Sequence, residues 1–375
     1  MFNFIFKNDN INNVKFNFNK QDISKLESLF EANEINMMVS DFYSSFIENQ
    51  NLDIKIDQSK SKQEQISSNF LDFLDLDLND KKISKLINRT KLDKITLLNP
   101  NDFKANHYYK NVKPNSFKDF NFSLTMDFYY PYECFIYKDT SCYENDYFIE
   151  INHFAFFDCK FPYLVLKQNN IPWMSLTPNE ILTMEKPISN AKGNVVTFGL
   201  GLGYFTYMCL LKEDVKKVVV VEKNPSIIKL FKDNLLDQFP NKDKLEIINQ
   251  DAFDFINNKE NFNNLDYLFL DTYHTASDGI TMYLKFKSKQ DEYKNTTFTY
   301  WIENSLKCYF RRIVITYIKE RYYNFDVNYN NVHDDLDYIF KRLNIILKDK
   351  EFNSYDEIHQ LLIDENLDKL CKQIY

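Results

Sequence analysis

The chain has very little glycine, with five residues in 375, and four of the five lie within residues 193–203. Glycine tolerates positive φ and lets a ligand approach the backbone closely. A chain this poor in glycine is expected to place it where no other residue serves. The glycine-rich stretch follows an apolar, strand-like run and precedes an apolar, helical one. That is the setting in which a loop presents backbone N–H groups to a bound cofactor.

Features of secreted, metal-binding and membrane proteins are also missing. The six cysteines form no CxxC pair and show no metal-ligand spacing, so we expect free thiols, no metal, and a reducing, cytoplasmic setting. The first residues turn polar too soon for a signal peptide. No apolar run approaches the ~20 residues that span a membrane, so we expect no membrane partner.

Positive charge is in deficit, with a formal net charge of −8 and an isoelectric point near 5.3. Nucleic-acid binding relies on lysine and arginine to neutralise phosphates, so a nucleic-acid partner is disfavoured.

The 44% of hydrophobic residues suffices for a sizeable core. We expect an accessory region over residues 1–168 and a second domain over residues 169–375, and leave a homodimer open.

The first part of the chain predicts helices followed by a small sheet. Residues 1–20 alternate apolar and polar side chains, which indicates one or two short strands or an arm. Residues 22–49 have helical periodicity, and residues 66–98 continue in short helical pieces. Aromatic-rich, partly alternating runs over residues 118–168 predict a small antiparallel sheet.

The second part predicts an α/β fold. Residues 193–271 alternate strand and helix four times, which is typical of a doubly wound, mostly parallel, Rossmann-like sheet. Beyond it, the pattern predicts a polar loop over residues 272–279, a long helix over residues 298–321, and two or three helices over residues 332–375, without a convincing pair of final strands.

Acidic residues follow the predicted strands in register with the glycine loop. Glu222 ends the second strand, Asp251 follows the third and Asp271 ends the fourth. Ligands bind such sheets at the carboxyl ends of the strands, where an acid after the second strand can accept hydrogen bonds from ribose hydroxyls. The combination predicts a site for a cofactor that contains a nucleoside.

The glycine spacing distinguishes between cofactors. Gly199, Gly201 and Gly203 form GxGxG rather than the GxGxxG of dinucleotide folds. With Glu222 and the Asp251-Ala252 pair, this pattern over residues 190–275 resembles the class I S-adenosylmethionine-dependent methyltransferases. The resemblance implies S-adenosyl-L-methionine as the cofactor, with its amino-acid part over the glycines, its ribose at Glu222 and its adenine at Asp251. Tyr204, Lys223, Ala252 and Asp271 complete the implied cofactor site.

One position departs from the pattern of that family. The family often carries an acidic residue two positions before the first glycine, where it holds the amino group of the cofactor. Here that residue is Thr197.

Within the superfamily the layout is similar to the spermidine-synthase-like branch. The β-rich segment before the core, a helix that carries Glu180 and the Val-Glu-Lys-Asn-Pro run at residues 221–225 support this. The branch includes aminopropyltransferases, but the stretch from Asp271 lacks their Asp-x-x-Asp-Pro motif. The expected function is methyl transfer to a small-molecule or protein acceptor. An aminopropyltransferase-like enzyme and a non-catalytic Rossmann-like binding protein remain as alternatives.

The residues nearest the expected acceptor are less well defined. Asp271, His274 and Asp278 are the catalytic candidates, with His274 as a general base and either acid as a partner for an amine. The alternative is that Asp271 only caps backbone N–H groups, that His274 is a solvated loop residue, and that Ser277-Asp278-Gly279 is a turn. Upstream, Thr177, Pro178 and Glu180 fit a capping box that starts a helix, and we favour that role for Glu180. Trp173 and Met174 fit either the mouth of the site or ordinary packing.

Overall fold

The structure of the protein is a computed structural model. It describes residues 14–54, 56–113, 117–118, 121–325 and 335–375. Of the predicted N-terminal strands or arm, residues 1–13 lie outside the described residues.

The described residues form an α/β protein. Its strands are β1 (Lys15–Phe16), β2 (Ile95–Leu97), β3 (Phe117–Lys118), β4 (Phe122–Tyr129), β5 (Cys134–Ile136), β6 (Ser141–Tyr143), β7 (Ile149–Ile151), β8 (Phe154–Phe156), β9 (Phe161–Gln168), β10 (Ile171–Ser175), β11 (Gly193–Phe198), β12 (Val215–Glu222), β13 (Leu245–Asn249), β14 (Tyr267–Leu270), β15 (Thr297–Tyr300) and β16 (Glu351–Phe352). Its helices are α1 (Lys20–Asn49), α2 (Lys62–Phe73), α3 (Lys81–Thr90), α4 (Pro100–Lys104), α5 (His107–Asn111), α6 (Pro178–Asn190), α7 (Tyr204–Leu210), α8 (Pro225–Asn234), α9 (Ala252–Asn257), α10 (Ala276–Gln290), α11 (Glu303–Tyr322), α12 (Asp335–Ile346), α13 (Tyr355–Leu362) and α14 (Asp364–Cys371).

The central sheet contains five parallel strands in the order β13-β12-β11-β14-β15. The predicted alternation of strand and helix over residues 193–271 is confirmed. Val218, Val220 and Val221 of β12 are buried, as expected where helices cover a parallel sheet. The order of the strands reverses between β11 and β14, so the loop after β11 opens at the point of reversal.

The region before the sheet matches its predicted character. Helix α1 covers the predicted residues 22–49, and α2 and α3 are short helical pieces of the kind predicted for residues 66–98. The end of that stretch is a correction, because Ile95–Leu97 forms the strand β2, which pairs with β8. A four-stranded antiparallel sheet has the order β10-β9-β4-β3 and extends beyond residue 168, to Ser175. Smaller sheets join β2, β8 and β5, and β6 with β7.

The predictions after Asp271 need two corrections. Ala276–Gln290 forms α10, so the predicted polar loop is much shorter than residues 272–279. Thr297–Tyr300 forms β15, which pairs with β14, so the predicted helix starts at Glu303 rather than Phe298. The physical reason is that four residues, Thr-Phe-Thr-Tyr, alternate too briefly to separate a strand from the start of the helix that follows.

The C-terminal residues form helices and one short strand that pack against the rest of the described structure. The two or three helices predicted for residues 332–375 are confirmed as α12, α13 and α14. Strand β16 pairs in parallel with β1. One main hydrophobic cluster includes Leu26 of α1, Phe198 of β11 and Ile374, so the accessory region and the central sheet share a core. Among the described residues, no helix combines the length and the apolar character needed to cross a membrane.

A buried lysine joins three of the later helices. Lys287 of α10 is 5% exposed. Its ammonium lies 2.9 Å from the carboxylate of Glu303 at the start of α11. It also donates to Asp368 of α14. Breaking a buried ion pair leaves uncompensated charge, which costs several kcal/mol.

Lys287→Met should therefore lower the free energy of unfolding by about 3 kcal/mol. The matched control is Lys289→Met on the same helix, whose exposed pair with Glu292 should contribute less than about 1 kcal/mol. Urea denaturation measures both. Equal effects of the two substitutions would contradict a structural role for the buried pair.

Candidate functional site

The glycine loop runs from the end of β11 to the start of α7. Gly199 has φ 93°, and a Cβ there would lie 2.0 Å from the carbonyl oxygen of Asp271. Only glycine fits this position, because the added atom would overlap the backbone at the end of β14. The loop therefore lies directly against the strand end that carries Asp271, at the reversal of strand order where ligands bind open α/β sheets.

Glu222 connects the second strand to the loop. Its buried carboxylate accepts a hydrogen bond from the backbone N–H of Leu200 at 3.1 Å and another from Asn224 at 2.8 Å. Each carboxylate oxygen has a further lone pair. Glu222 thus lies beside the glycine loop with remaining capacity to accept hydrogen bonds.

The residues proposed for the adenine end lie at the next strand end. Asp251 caps α9, where its Oδ1 accepts from the N–H of Phe253 at 2.8 Å, and Ala252 is the buried first residue of that helix. The exposed Lys223 follows Glu222. The side-chain amide of Asn249 donates to the carbonyl oxygens of Glu222 and Lys223 at 2.9 and 3.0 Å. These bonds hold the two strand ends side by side.

The glycine loop covers a cavity that contains two carboxylates. The cavity measures about 420 Å³ including its open mouth, and Glu180, Asp271, Thr197, Gly199, Gly201, Gly203 and Tyr204 are among the residues that line it. No hydrogen bond links the side chain of Glu180 or Asp271 to another described residue. Two acidic side chains thus face one partly open cavity, without a cationic partner among the described residues.

Enclosure changes the ionisation of this pair. Burial raises the pKa of Asp271 to about 7. Burial also raises the pKa of Glu180 well above its ordinary value, and the negative charge of Asp271 raises it further. Two carboxylates that share a poorly solvated space cannot both ionise without cost. Near neutral pH the pair therefore retains a proton that a bound cation would displace.

The capping role favoured for Glu180 is wrong. Pro178 occupies the first turn of α6 as predicted, but the side chain of Thr177 makes no capping hydrogen bond. Glu180 faces the cavity instead. Met174 also lines the cavity, whereas Trp173 packs edge-on against His274 with the ring centroids 6.4 Å apart.

Two of the three catalytic candidates do not line this cavity. The carboxylate of Asp278 accepts from the N–H groups of His274 and Thr275, at 3.1 and 2.6 Å, and closes a capping box with Thr275. Asp278 thus starts helix α10, which replaces the simple turn considered as the alternative. His274 is exposed and lies beside Trp173, which does not line the cavity either. Asp271 alone of the three reaches the cavity.

The accessory region supplies contacts that the sequence did not reveal. The hydroxyl of Tyr108 in α5 donates to the carbonyl oxygen of Leu202 in the glycine loop at 2.6 Å. Asn106 donates to the hydroxyl of Tyr204 at 2.8 Å, and the hydroxyl of Tyr109 donates to the carbonyl of Leu176 at 2.6 Å. The partners in these hydrogen bonds are far apart in the sequence, so no local sequence pattern predicts them. The aromatic residues of the short helix that follows Asn106 are the one feature of the sequence that indicates packing against another part of the chain.

A scan against protein-family models finds no match to this chain, and a search of curated proteins also finds none.

The raised pKa of Asp271 predicts a specific pH dependence of stability. The folded protein holds a proton on this group between its ordinary pKa near 4 and about 7, whereas the unfolded chain does not. The contribution of Asp271 to the free energy of unfolding is therefore largest at low pH, and it is lost as the pH rises through about 7. Asp271→Asn should remove the cost of ionising this carboxyl group in the folded protein. The substitution should therefore stabilise the protein more at pH 8 than at pH 5, and the difference in the free energy of unfolding should be on the order of 1–2 kcal/mol.

Urea denaturation at both pH values checks this expectation. Asp254→Asn is the matched control, because Asp254 is exposed in the first turn of α9. A pH-independent difference for Asp271→Asn, equal to that of the control, would contradict the burial of a strained carboxylate pair.

Proposed function

We propose that this protein has a Rossmann-like fold and is an S-adenosyl-L-methionine-dependent methyltransferase. The order of the five parallel strands is the one expected for such a fold. Gly199, Glu222, Asp251 and Asp271 lie at the carboxyl ends of four neighbouring strands, where this type of sheet binds ligands. The proposal rests on these positions together with the resemblance of residues 190–275 to the class I enzymes.

The observation that carries the proposal is the unpaired carboxylate pair below the glycine loop. Glu180 and Asp271 face a cavity without a described cationic partner, and buried charges are normally paired. The proposed cofactor has two cationic groups, an ammonium and a sulfonium. Glu180 supports binding of the ammonium, because Thr197 occupies the position where the family often has an acid.

The pair also suits the proposed reaction. Methyl transfer requires chiefly that the acceptor atom be aligned with the methyl group that the cofactor supplies. An acceptor that carries a proton must lose it, and a carboxylate with a pKa of about 7 is an effective general base near neutral pH. Asp271 is the group we assign to this step, and its position against Gly199 supports a role beside the proposed cofactor. The expected acceptor is a small molecule or a protein side chain.

Calorimetric titration with S-adenosylhomocysteine tests the proposal. The wild-type protein should bind it, and Glu180→Gln should weaken the affinity roughly tenfold, the effect of losing about 1.4 kcal/mol. 5′-Methylthioadenosine, which lacks the amino-acid part, should bind both proteins equally. Asp254→Asn should leave both affinities unchanged.

Absence of binding at millimolar S-adenosylhomocysteine would refute the proposed cofactor. Binding with no loss in Glu180→Gln would retain the cofactor and refute the role of Glu180. The two failures are therefore distinguishable.

Aminopropyl transfer is the second candidate. An enclosed carboxylate pair also suits the ammonium groups of a diamine acceptor, and the resemblance includes the spermidine-synthase-like branch. Decarboxylated S-adenosylmethionine lacks the carboxylate that a methyltransferase site must hold. Tighter binding of the decarboxylated form than of S-adenosylmethionine would favour aminopropyl transfer, and the reverse preference would favour methyl transfer.

A further inference from the structure

A second and larger cavity lies away from the glycine loop. It measures about 1010 Å³ including open solvent, and residues of β6 and of α11 line it, among them Cys142, Cys308, Lys307 and Arg311. None of these residues lines the cavity below the glycine loop. Two cysteines and two cationic side chains thus meet in a space that the proposed methyl transfer does not use.

Arg311 brings the two thiols together. Its Nη1 lies 3.3 Å from the Sγ of Cys142 and 3.9 Å from the Sγ of Cys308. The guanidinium is buried, and it is oriented by the carbonyl oxygen of Leu362 at 2.9 Å and by the carboxylate of Asp364. One fixed cation therefore contacts both sulfur atoms.

The backbone segments that carry the thiols are anchored on both sides. Asp139, just before β6, accepts from the N–H groups of Asn304 and Ser305 at the start of α11, at 3.0 and 2.9 Å. Beyond the cysteines, the guanidinium of Arg312 donates twice to Glu150, at 2.9 and 2.6 Å. Glu150 is also the partner of Cys142 across the β6–β7 pair. These contacts hold Cys142 and Cys308 in register without a covalent link.

We propose that Cys142 and Cys308 form a redox-active dithiol that a peroxide converts to a disulfide. Both cysteines are free thiols in the structure. The site is a modification site of the chain and is independent of the proposed methyl transfer.

The two cysteines have different chemical roles. Cys142 is partly exposed and lies nearer to Arg311 than Cys308 does, so it is the thiol that a peroxide reaches from solvent. Cys308 is buried. Its contact with Cys142, and then burial, raise the pKa of Cys308, so it stays protonated until it is needed. Cys142 is the attacking group and Cys308 the resolving one.

The oxidation balances with one molecule of hydrogen peroxide. The Cys142 thiolate attacks one peroxide oxygen, the O–O bond breaks, and the departing hydroxide takes a proton to become water. Cys142 is then a sulfenic acid. Cys308 loses its proton and attacks the sulfur of Cys142, the S–O bond breaks, and a second water leaves. The two sulfurs lose two electrons and the peroxide gains them.

Stoichiometric hydrogen peroxide on the full-length protein tests the proposal. Digestion without reductant, followed by mass spectrometry, should find one linked pair of peptides that contain Cys142 and Cys308. The six free thiols should fall by two and return on reduction. The cross-link should also raise the Tm of the folded protein by roughly 5 °C.

Single variants separate the two roles. Cys308→Ser should accumulate a sulfenic acid at Cys142 that dimedone traps, whereas Cys142→Ser should give no adduct at Cys308. Cys159→Ser is the matched control, because Cys159 is exposed but has no cysteine partner here, and it should form the 142–308 link as the wild type does. Preferential oxidation of Cys159, or loss of thiols without a 142–308 link, would overturn the proposal.

Discussion

Two carboxylates with no cation beside them among the described residues are the constraint on which the candidate site depends. Glu180 reaches the cavity from α6 and Asp271 from the end of β14. Because they share a poorly solvated space, ionising both is unfavourable in the free protein. A ligand with positive charge relieves that cost. The free protein thus carries an electrostatic cost at this cavity that a cationic ligand would remove.

The rest of the structure holds the walls of that cavity in place. Gly199 lets the loop contact the backbone of Asp271, Glu222 ties the loop to the second strand, and Tyr108 ties it to the accessory region. The shared hydrophobic core joins the accessory helices to the central sheet. The N-terminal region is therefore part of the support of the site, although it has none of the acids at the strand ends.

The parts of the fold that the sequence predicted are those with local signals. The buried valines of β12, the cluster of glycines and the acids after each strand are all readable within a few residues, and each lies where predicted. Glu180 was assigned to a cap because Thr177, Pro178 and Glu180 fit that pattern locally. Only the tertiary structure shows that the carboxylate faces a cavity.

The features that the sequence did not reveal have three separate causes. Strand β15 has four residues, and its alternation is too short to be separated from the helix that follows. The start of α10 looks like a turn, because Asp278 with its neighbours resembles a Ser-Asp-Gly loop, yet its carboxylate closes a capping box. The contact of Tyr108 with Leu202 spans 94 residues, and no periodicity in a single sequence encodes such a pair.

The central claim is that a cationic, nucleoside-containing cofactor displaces a proton from the Glu180–Asp271 pair. Calorimetric titration of S-adenosyl-L-methionine at pH 7, repeated in two buffers of different ionisation enthalpy, measures the protons exchanged on binding. The account predicts release of about one proton by the wild-type protein and a smaller release by Asp271→Asn, since one titrating group is gone. Binding without proton release, or the same release from both proteins, would contradict it.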